Sequence, residues 1–242
     1  MSGHSHFSSI KHKKQITDAK RGKIFSKMAK SITVAAKEGG GDPTANSKLR
    51  MEIEQAKKIN MPKENIERAI KKGTGGLEGA KLEEVVFEAY GPGKIAIIIE
   101  GITDNKNRTL GEIKQILSQN GGKLASGGSV KWLFERKGAV IIDSQLQTEE
   151  LKNKEKLELE AIEVGAEDIY WHDTFLDVYT KPEELEKVKK NLEEKGIKIE
   201  SSSLDWVAKE MVEVKENETC QKLFEALDEN DAVQDIYSNL KV

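Results

Sequence analysis

Five lysines, Lys20, Lys23, Lys27, Lys30 and Lys37, recur at steps of 3, 4, 3 and 7. On a helix that spacing lines ammonium groups along one face. Such a row suits one kind of chemistry, the neutralisation of nucleic-acid phosphates with release of their counterions. A solvated surface helix ordinarily mixes signs and gains from Glu–Lys pairs four apart. No acidic residue stands between Ala19 and Lys37, so phosphate binding is preferred to a merely solvated face. With all five lysines on duplex phosphates, the log–log slope of affinity against salt is roughly −4 to −5. Lys11, His12, Lys13 and Lys14, trailing Phe7 and His4, extend the patch onto an N-terminal arm, and Arg21, Arg68, Lys71 and Lys72 complete the candidate set.

Other patterns that do chemistry are scarce. Gly73-x-Gly75-Gly76-x-x-Gly79 has the outline of a dinucleotide loop, but it follows a helical pattern where that motif requires a strand. His4, His6 and His12 have no cysteine or carboxylate cluster to join them around a metal. Cys220 sits on an amphipathic stretch as a packing residue, and Asp104 beside Arg108 reads as a local salt bridge. With no nucleophile–base pair visible, we expect no enzyme, no metal, no cofactor and no small-molecule substrate.

Positioning these lysines requires helices. Ile24, Phe25, Met28, Ala29, Ile32, Ala35 and Ala36 form an apolar stripe over about Asp18 to Glu38, roughly opposite the lysines on the helical wheel. Gly39-Gly40-Gly41 ends this helix, and Asn46 caps a second one burying Leu49, Ile53, Ala56 and Ile59. Pro62 fits the first position of a third helix burying Ile66, Ala69 and Ile70, with Gly73 at its C′ position.

After a glycine-rich hinge the pattern changes. Val85–Tyr90 and Ile95–Ile102 read as strands around a Gly91-Pro92-Gly93 turn. Thr109 with Glu112 reads as a capping box opening a helix, and Ser129–Glu135 alternates like a strand. From Val140 to Val207 a βαββαβ order follows, which predicts an antiparallel sheet with helices on one face. Met211–Val214, Glu218–Leu227 and Gln234–Tyr237 then give strand, helix, strand, and complete the earlier unit around an insertion. The expected class is α+β: a three-helix domain over 1–78, an α/β domain over 79–136 plus 208–242, and an inserted α/β domain over 137–207, both ferredoxin-like.

Charge divides the same way. The first 78 residues hold 17 basic and 8 acidic side chains, whereas the remaining 164 hold 22 basic and 34 acidic ones. The near-neutral total of −3 therefore hides a cationic lobe on an acidic body. The longest apolar run, Ile95-Ala96-Ile97-Ile98-Ile99, is too short to span a bilayer. The polar N-terminus and the single cysteine predict a cytoplasmic protein without a membrane partner.

Several strings resemble the YebC/PmpR family, which also includes a mitochondrial translational activator. They are Gly3-His4-Ser5, Ile10–Lys13, Asp18–Lys23, Val34–Gly40, Asn60–Gly73, Tyr90–Gly93, Thr103–Thr109, Gly165–Asp168 and Val233-Gln234. The resemblance implies three domains and a cytoplasmic regulator of gene expression, mostly described as a DNA-binding transcriptional regulator. Other members act on translation, associating with ribosomes and relieving stalls at proline-rich stretches. His6-Phe7 stands where the family usually has lysine and tryptophan, which removes a fixed charge and a larger stacking surface; Ala232 replaces a common aspartate. Two readings follow. Either the lobe grips DNA, with Asn65 and Arg68 reading base edges, or it enters folded ribosomal RNA.

Overall fold

The computed structural model describes residues 18–77, 81–215 and 217–241, with backbone alone for residues 18–20. Its helices are α1 (Asp18–Gly39), α2 (Ser47–Lys58), α3 (Lys63–Gly73), α4 (Lys106–Gln119), α5 (Lys154–Glu163), α6 (Leu185–Glu194) and α7 (Asn217–Asp228). Its strands are β1 (Glu83–Tyr90), β2 (Ala96–Thr103), β3 (Lys123–Leu124), β4 (Phe134–Asp143), β5 (Asp168–His172), β6 (Phe175–Thr180), β7 (Ser201–Ala208) and β8 (Val233–Ser238). They form two compact units, one of them Leu133–Met211 and the other built from the described chain on either side of it.

In the larger unit α1–α3 enclose a core of Ile32, Ala35, Ala36, Leu49, Ala56, Met61, Ile66 and Ala69. The apolar stripe of α1 thus finds its partners on α2 and α3. Gly40, at φ 86°, adopts the left-handed conformation that closes α1. Asn46 then joins two elements: its side chain accepts from the Leu49 amide at 3.0 Å and donates to the Ala35 and Gly40 carbonyls at 2.8 Å. Pro62 precedes α3 as its N-cap rather than occupying its first turn. Gly73 also differs from expectation. A Cβ there would lie 2.3 Å from the Thr33 carbonyl oxygen, so this glycine lets α3 approach α1, and Gly75 (φ 81°) makes the left-handed turn.

The sheet of this unit has the order β3-β1-β2-β8 and is antiparallel throughout. On one face Val85, Phe87, Ala89, Ile97 and Ile99 pack against Ile113 and Leu117 of α4 and Cys220, Leu223, Phe224 and Leu227 of α7. On the other, Ile102 meets Val34 of α1 and Leu82, while Lys48 of α2 bridges Glu38 and Glu84 at 2.8 and 2.6 Å. Opposite faces of one sheet therefore hold α4 with α7 and the three-helix bundle.

The smaller unit has the order β5-β6-β4-β7, again antiparallel. With α5 and α6 in its two crossovers it is the expected βαββαβ arrangement, and the class is α+β as read from the sequence. The chain leaves the first sheet after β3, builds this unit, and returns through α7 and β8 to pair with β2.

Three further local readings are corrected. Ser129–Glu135 is not one strand: Lys131–Leu133 forms a 3-10 turn, and Phe134 opens β4 in the second sheet. The cause lies on β1, where the Glu88 carboxylate draws the amides of Gly128, Val130 and Lys131 out of any ladder. Helix α4 starts at Lys106 with Asn105 as its cap, and Thr109 is buried with its hydroxyl 2.8 Å from that of Thr103. Met211–Val214 contributes one bridge, Val212 to Leu240, rather than a strand. Among the described residues no helix is long and apolar enough to cross a membrane.

Candidate nucleic-acid interface

The lysine face of α1 meets the end of α7. A helix C-terminus presents carbonyl oxygens without helical partners and the negative end of the macrodipole. Here Asp228, Glu229 and Asp231 add carboxylates to it. The Lys27 ammonium lies 2.7 Å from the Asp228 carbonyl oxygen and 3.0 Å from its carboxylate. Lys23 bonds the Glu229 carbonyl and, at 2.9 Å, the Glu229 carboxylate. Lys30 donates to the Asp231 carbonyl at 2.7 Å, and Lys37 donates to the Leu82 carbonyl at 2.9 Å.

The outward-facing ammonium row expected from the spacing is thereby corrected. Lys27 is 7 % exposed and Lys23 and Lys30 are half-buried. Four of the five lysines hold the helical bundle to its own sheet domain. The physical reason is charge complementarity within one chain: a basic helix and an acidic turn, far apart in sequence, neutralise each other where they pack.

The other candidates divide into three groups. His4, Lys11, His12, Lys13, Lys14 and the side chain of Lys20 lie outside the described residues, as does Phe7. Arg21, Lys71 and Arg68 are exposed, although Arg68 is tied to Glu64 at 2.9 Å. Asn65, half-buried, and Arg68 stand on α3 beside exposed Glu64 and Glu67. Lys72 is half-buried and, with Lys30, lines a cleft of about 630 Å³ whose other wall is the Thr103–Thr109 loop and the Glu229–Ala232 turn.

That loop serves first as a cap. Asn105 accepts from the Arg108 amide at 3.0 Å, and the Arg108 guanidinium pairs with Asp104 at 2.5 Å. The Arg108 hydrogen bond holds the Asp104 carboxyl below its ordinary value. Glu112 in turn accepts from Asn230 at 2.8 Å, tying α4 to the acidic turn. The spacing argument missed Arg108 as a cleft residue, because its local partners Asp104 and Glu112 fully account for it in sequence. In the smaller unit His172 Nε2 lies 2.9 Å from the Asp177 carboxylate, and its ring packs edge-on against Tyr170.

A second site carried no motif. Glu88 is buried on β1, and its carboxylate accepts from the amides of Gly128 and Val130 at 2.6 Å and of Lys131 at 2.8 Å. Burial pushes this carboxyl up, but the three amide donors outweigh burial and hold it below the usual range. Tyr90, two residues on and on the same face, donates to the Ser129 carbonyl at 3.1 Å, and the Trp132 indole donates to that carbonyl at 3.0 Å. The readable signal was the absence of any acidic residue from Ile113 to Phe134.

Comparison with known proteins extends over the whole chain. The family model described as the TACO1/YebC protein N-terminal domain matches residues 5–76, and that of the TACO1/YebC second and third domain matches residues 82–240. A protein of Halothermothrix orenii named "Probable transcriptional regulatory protein" is 49 % identical over 245 residues, covering 100 % of this chain and 96 % of the relative. One of Persephonella marina with the same name is 50 % identical over 246 residues, with the same coverage. The crystal structure of a conserved hypothetical protein of Aquifex aeolicus, Aq1575, superposes with a TM-score of 0.88 at 46 % identity, covering 98 % of this chain and 97 % of the other. The chain belongs to the TACO1/YebC family.

Proposed function

We propose that this chain is a non-enzymatic regulator of gene expression that acts by binding nucleic acid through its N-terminal lobe, as a cytoplasmic protein. The observation that carries the reading is the surplus of nine positive charges in residues 1–78. The acidic turn neutralises Lys23 and Lys27, so the reading rests on the other basic residues of the lobe, Lys11, Lys13, Lys14, Lys20, Arg21, Lys71 and Lys72, as the phosphate contacts to test. The relatives' names, which speak of transcriptional regulation, support DNA as the first partner to test.

Folded RNA, as on a ribosome, is the second reading, and one observation favours it. Helix α3 does not offer a clean reading face: Arg68 is paired with Glu64, and Glu67 is exposed beside it. Carboxylates at those positions repel a duplex backbone, whereas irregular RNA is recognised by shape and stacking.

Gel shifts on promoter-containing and scrambled duplex, beside ribosome sedimentation at physiological salt, decide between them. A sequence-selective shift supports transcriptional control, and co-sedimentation without one supports the RNA reading. Charge reversal of Lys71 and Lys72 together weakens either complex and lowers the salt slope by about 2 on duplex. Undiminished binding after that change, at an unaltered slope, removes the C-terminal end of α3 from the interface.

A further inference from the structure

We infer that Tyr90 and Trp132 form a stacking platform for an unpaired base of single-stranded nucleic acid, distinct from the N-terminal lobe. The inference rests on the reading of this chain as a nucleic-acid binder.

Large aromatic side chains are normally buried, and an exposed one held in a fixed orientation calls for a partner. Trp132 is 66 % exposed and Tyr90 is 37 % exposed. Both donate their polar hydrogen to the same acceptor, the Ser129 carbonyl. Their rings are therefore oriented by hydrogen bonds while their apolar surfaces meet solvent. Such preorganisation lowers the entropy cost of capturing a flat ligand.

The loop beneath them is fixed just as firmly. The amides of Gly128, Val130 and Lys131 converge on the Glu88 carboxylate, the Ala125 amide bonds the Glu88 carbonyl at 2.8 Å, and the Ser129 amide bonds the Ser126 carbonyl at 3.1 Å.

Charge selects the ligand class. The segment from Ile113 to Phe134 contains Lys114, Lys123 and Lys131 and no acid. Lys123 is exposed and faces Tyr90 across the β1–β3 ladder, and Lys131 is exposed next to Trp132. Glu88 itself is buried among its amide donors. Aromatic faces beside the exposed lysines Lys123 and Lys131 suit a base with its phosphate, since every base has a π-face and stacking tolerates sequence. A stacked duplex presents no free base face, so the site discriminates by strandedness.

The test measures anisotropy of labelled oligo(U) and of a duplex of equal length, with the full chain and its Trp132→Ala and Trp132→Phe variants. Because Trp132 is exposed, both variants keep the wild-type melting temperature. Trp132→Ala is expected to weaken oligo(U) binding roughly 5- to 150-fold, the effect of losing one stacked base. Trp132→Phe, which keeps a ring but lacks the N–H that orients it, recovers only part of it, and duplex affinity stays within twofold. Equal oligo(U) affinity in wild type and Trp132→Ala, with duplex still bound, overturns the platform and leaves the lobe reading intact. Failure of wild type to bind any nucleic acid overturns both. A protein retained by wild type and lost by Trp132→Ala after nuclease treatment, with oligo(U) affinity unchanged, reassigns the surface to a protein contact.

Discussion

Lys27 and Asp228 meet twice, through the ammonium and carboxylate at 3.0 Å and through the ammonium and the Asp228 carbonyl at 2.7 Å. The lysine is 7 % exposed. A single side chain of α1 thus caps α7 and neutralises the acid that ends it. Lys23 and Lys30 repeat the contact on either side, at Glu229 and Asp231. The helical bundle is held to the sheet domain by charge as well as by the Val34–Leu82–Ile102 cluster.

Breaking that pair is expected to cost more than removing it whole. Asp228→Asn leaves a buried ammonium with a carbonyl in place of a carboxylate, at a cost of about 1–3 kcal/mol, reduced from the fully buried case because Asp228 is partly solvated. Lys27→Met alone also strands the acid, but Lys27→Met with Asp228→Asn is milder than the sum of the two. Urea unfolding followed by circular dichroism gives the coupling energy of the cycle. A coupling near zero means that the contact does not hold the bundle.

The reach of sequence reasoning can be read from this same face. The period of Ile24, Met28, Ile32 and Ala35 located α1, and the steps of the lysines located their face, since both follow from helix geometry. What covers that face was not legible. Lys27 and Asp228 are 201 residues apart, and periodicity reports which side a residue occupies, not what arrives against it. The βαββαβ unit was legible because its alternation, caps and turns are local. The Glu88 contacts were not, because one carboxylate on β1 sets the fate of a segment 40 residues later.

Glu52 on α2 predicts a pH dependence. Burial, then the charge of Asp235, pushes its carboxyl up from 4.5 to about 7; Glu84 adds to this and Lys48 opposes it. The folded protein therefore keeps a proton that the unfolded chain has lost, and stability falls as pH rises from about 4.5 to about 7. Glu52→Gln is expected to be more stable than wild type at pH 8, by on the order of 1–3 kcal/mol, and to match it near pH 4.5. Thermal melts of the two proteins across this range check the sign. A gain of equal size at both ends excludes the titration.

Two glycines are expected to respond oppositely to alanine. At Gly73 the added carbon meets the Thr33 carbonyl oxygen at 2.3 Å and the Ala36 Cβ at 2.8 Å. Helix α3 must then move off α1, which costs about 1–3 kcal/mol or more. At Gly22, within α1, a Cβ meets nothing within 4 Å. Alanine there stabilises by roughly 0.5–1 kcal/mol through helix propensity. Denaturation midpoints of Gly73→Ala and Gly22→Ala should move in opposite directions from wild type.

Glu88 governs the order of the loop that bears Trp132. An amide in its place offers one neutral oxygen where two charged oxygens now accept three N–H groups, so Glu88→Gln leaves at least one amide without its charged acceptor. Hydrogen exchange at Val130 and Lys131 is expected to accelerate by about tenfold or more, since charge-assisted hydrogen bonds contribute roughly 1.5–3 kcal/mol. The same chemistry fixes the sign of the acid response. The Glu88 carboxyl lies below 4.5 in the folded chain, so its contribution is fully present above that pH and is lost as pH falls through the lowered value. Wild type should therefore lose protection of these two amides only in strong acid, while Glu88→Gln lacks it at every pH. If the variant retains wild-type exchange at neutral pH, another contact fixes the loop, and the orientation of Trp132 does not depend on the carboxylate.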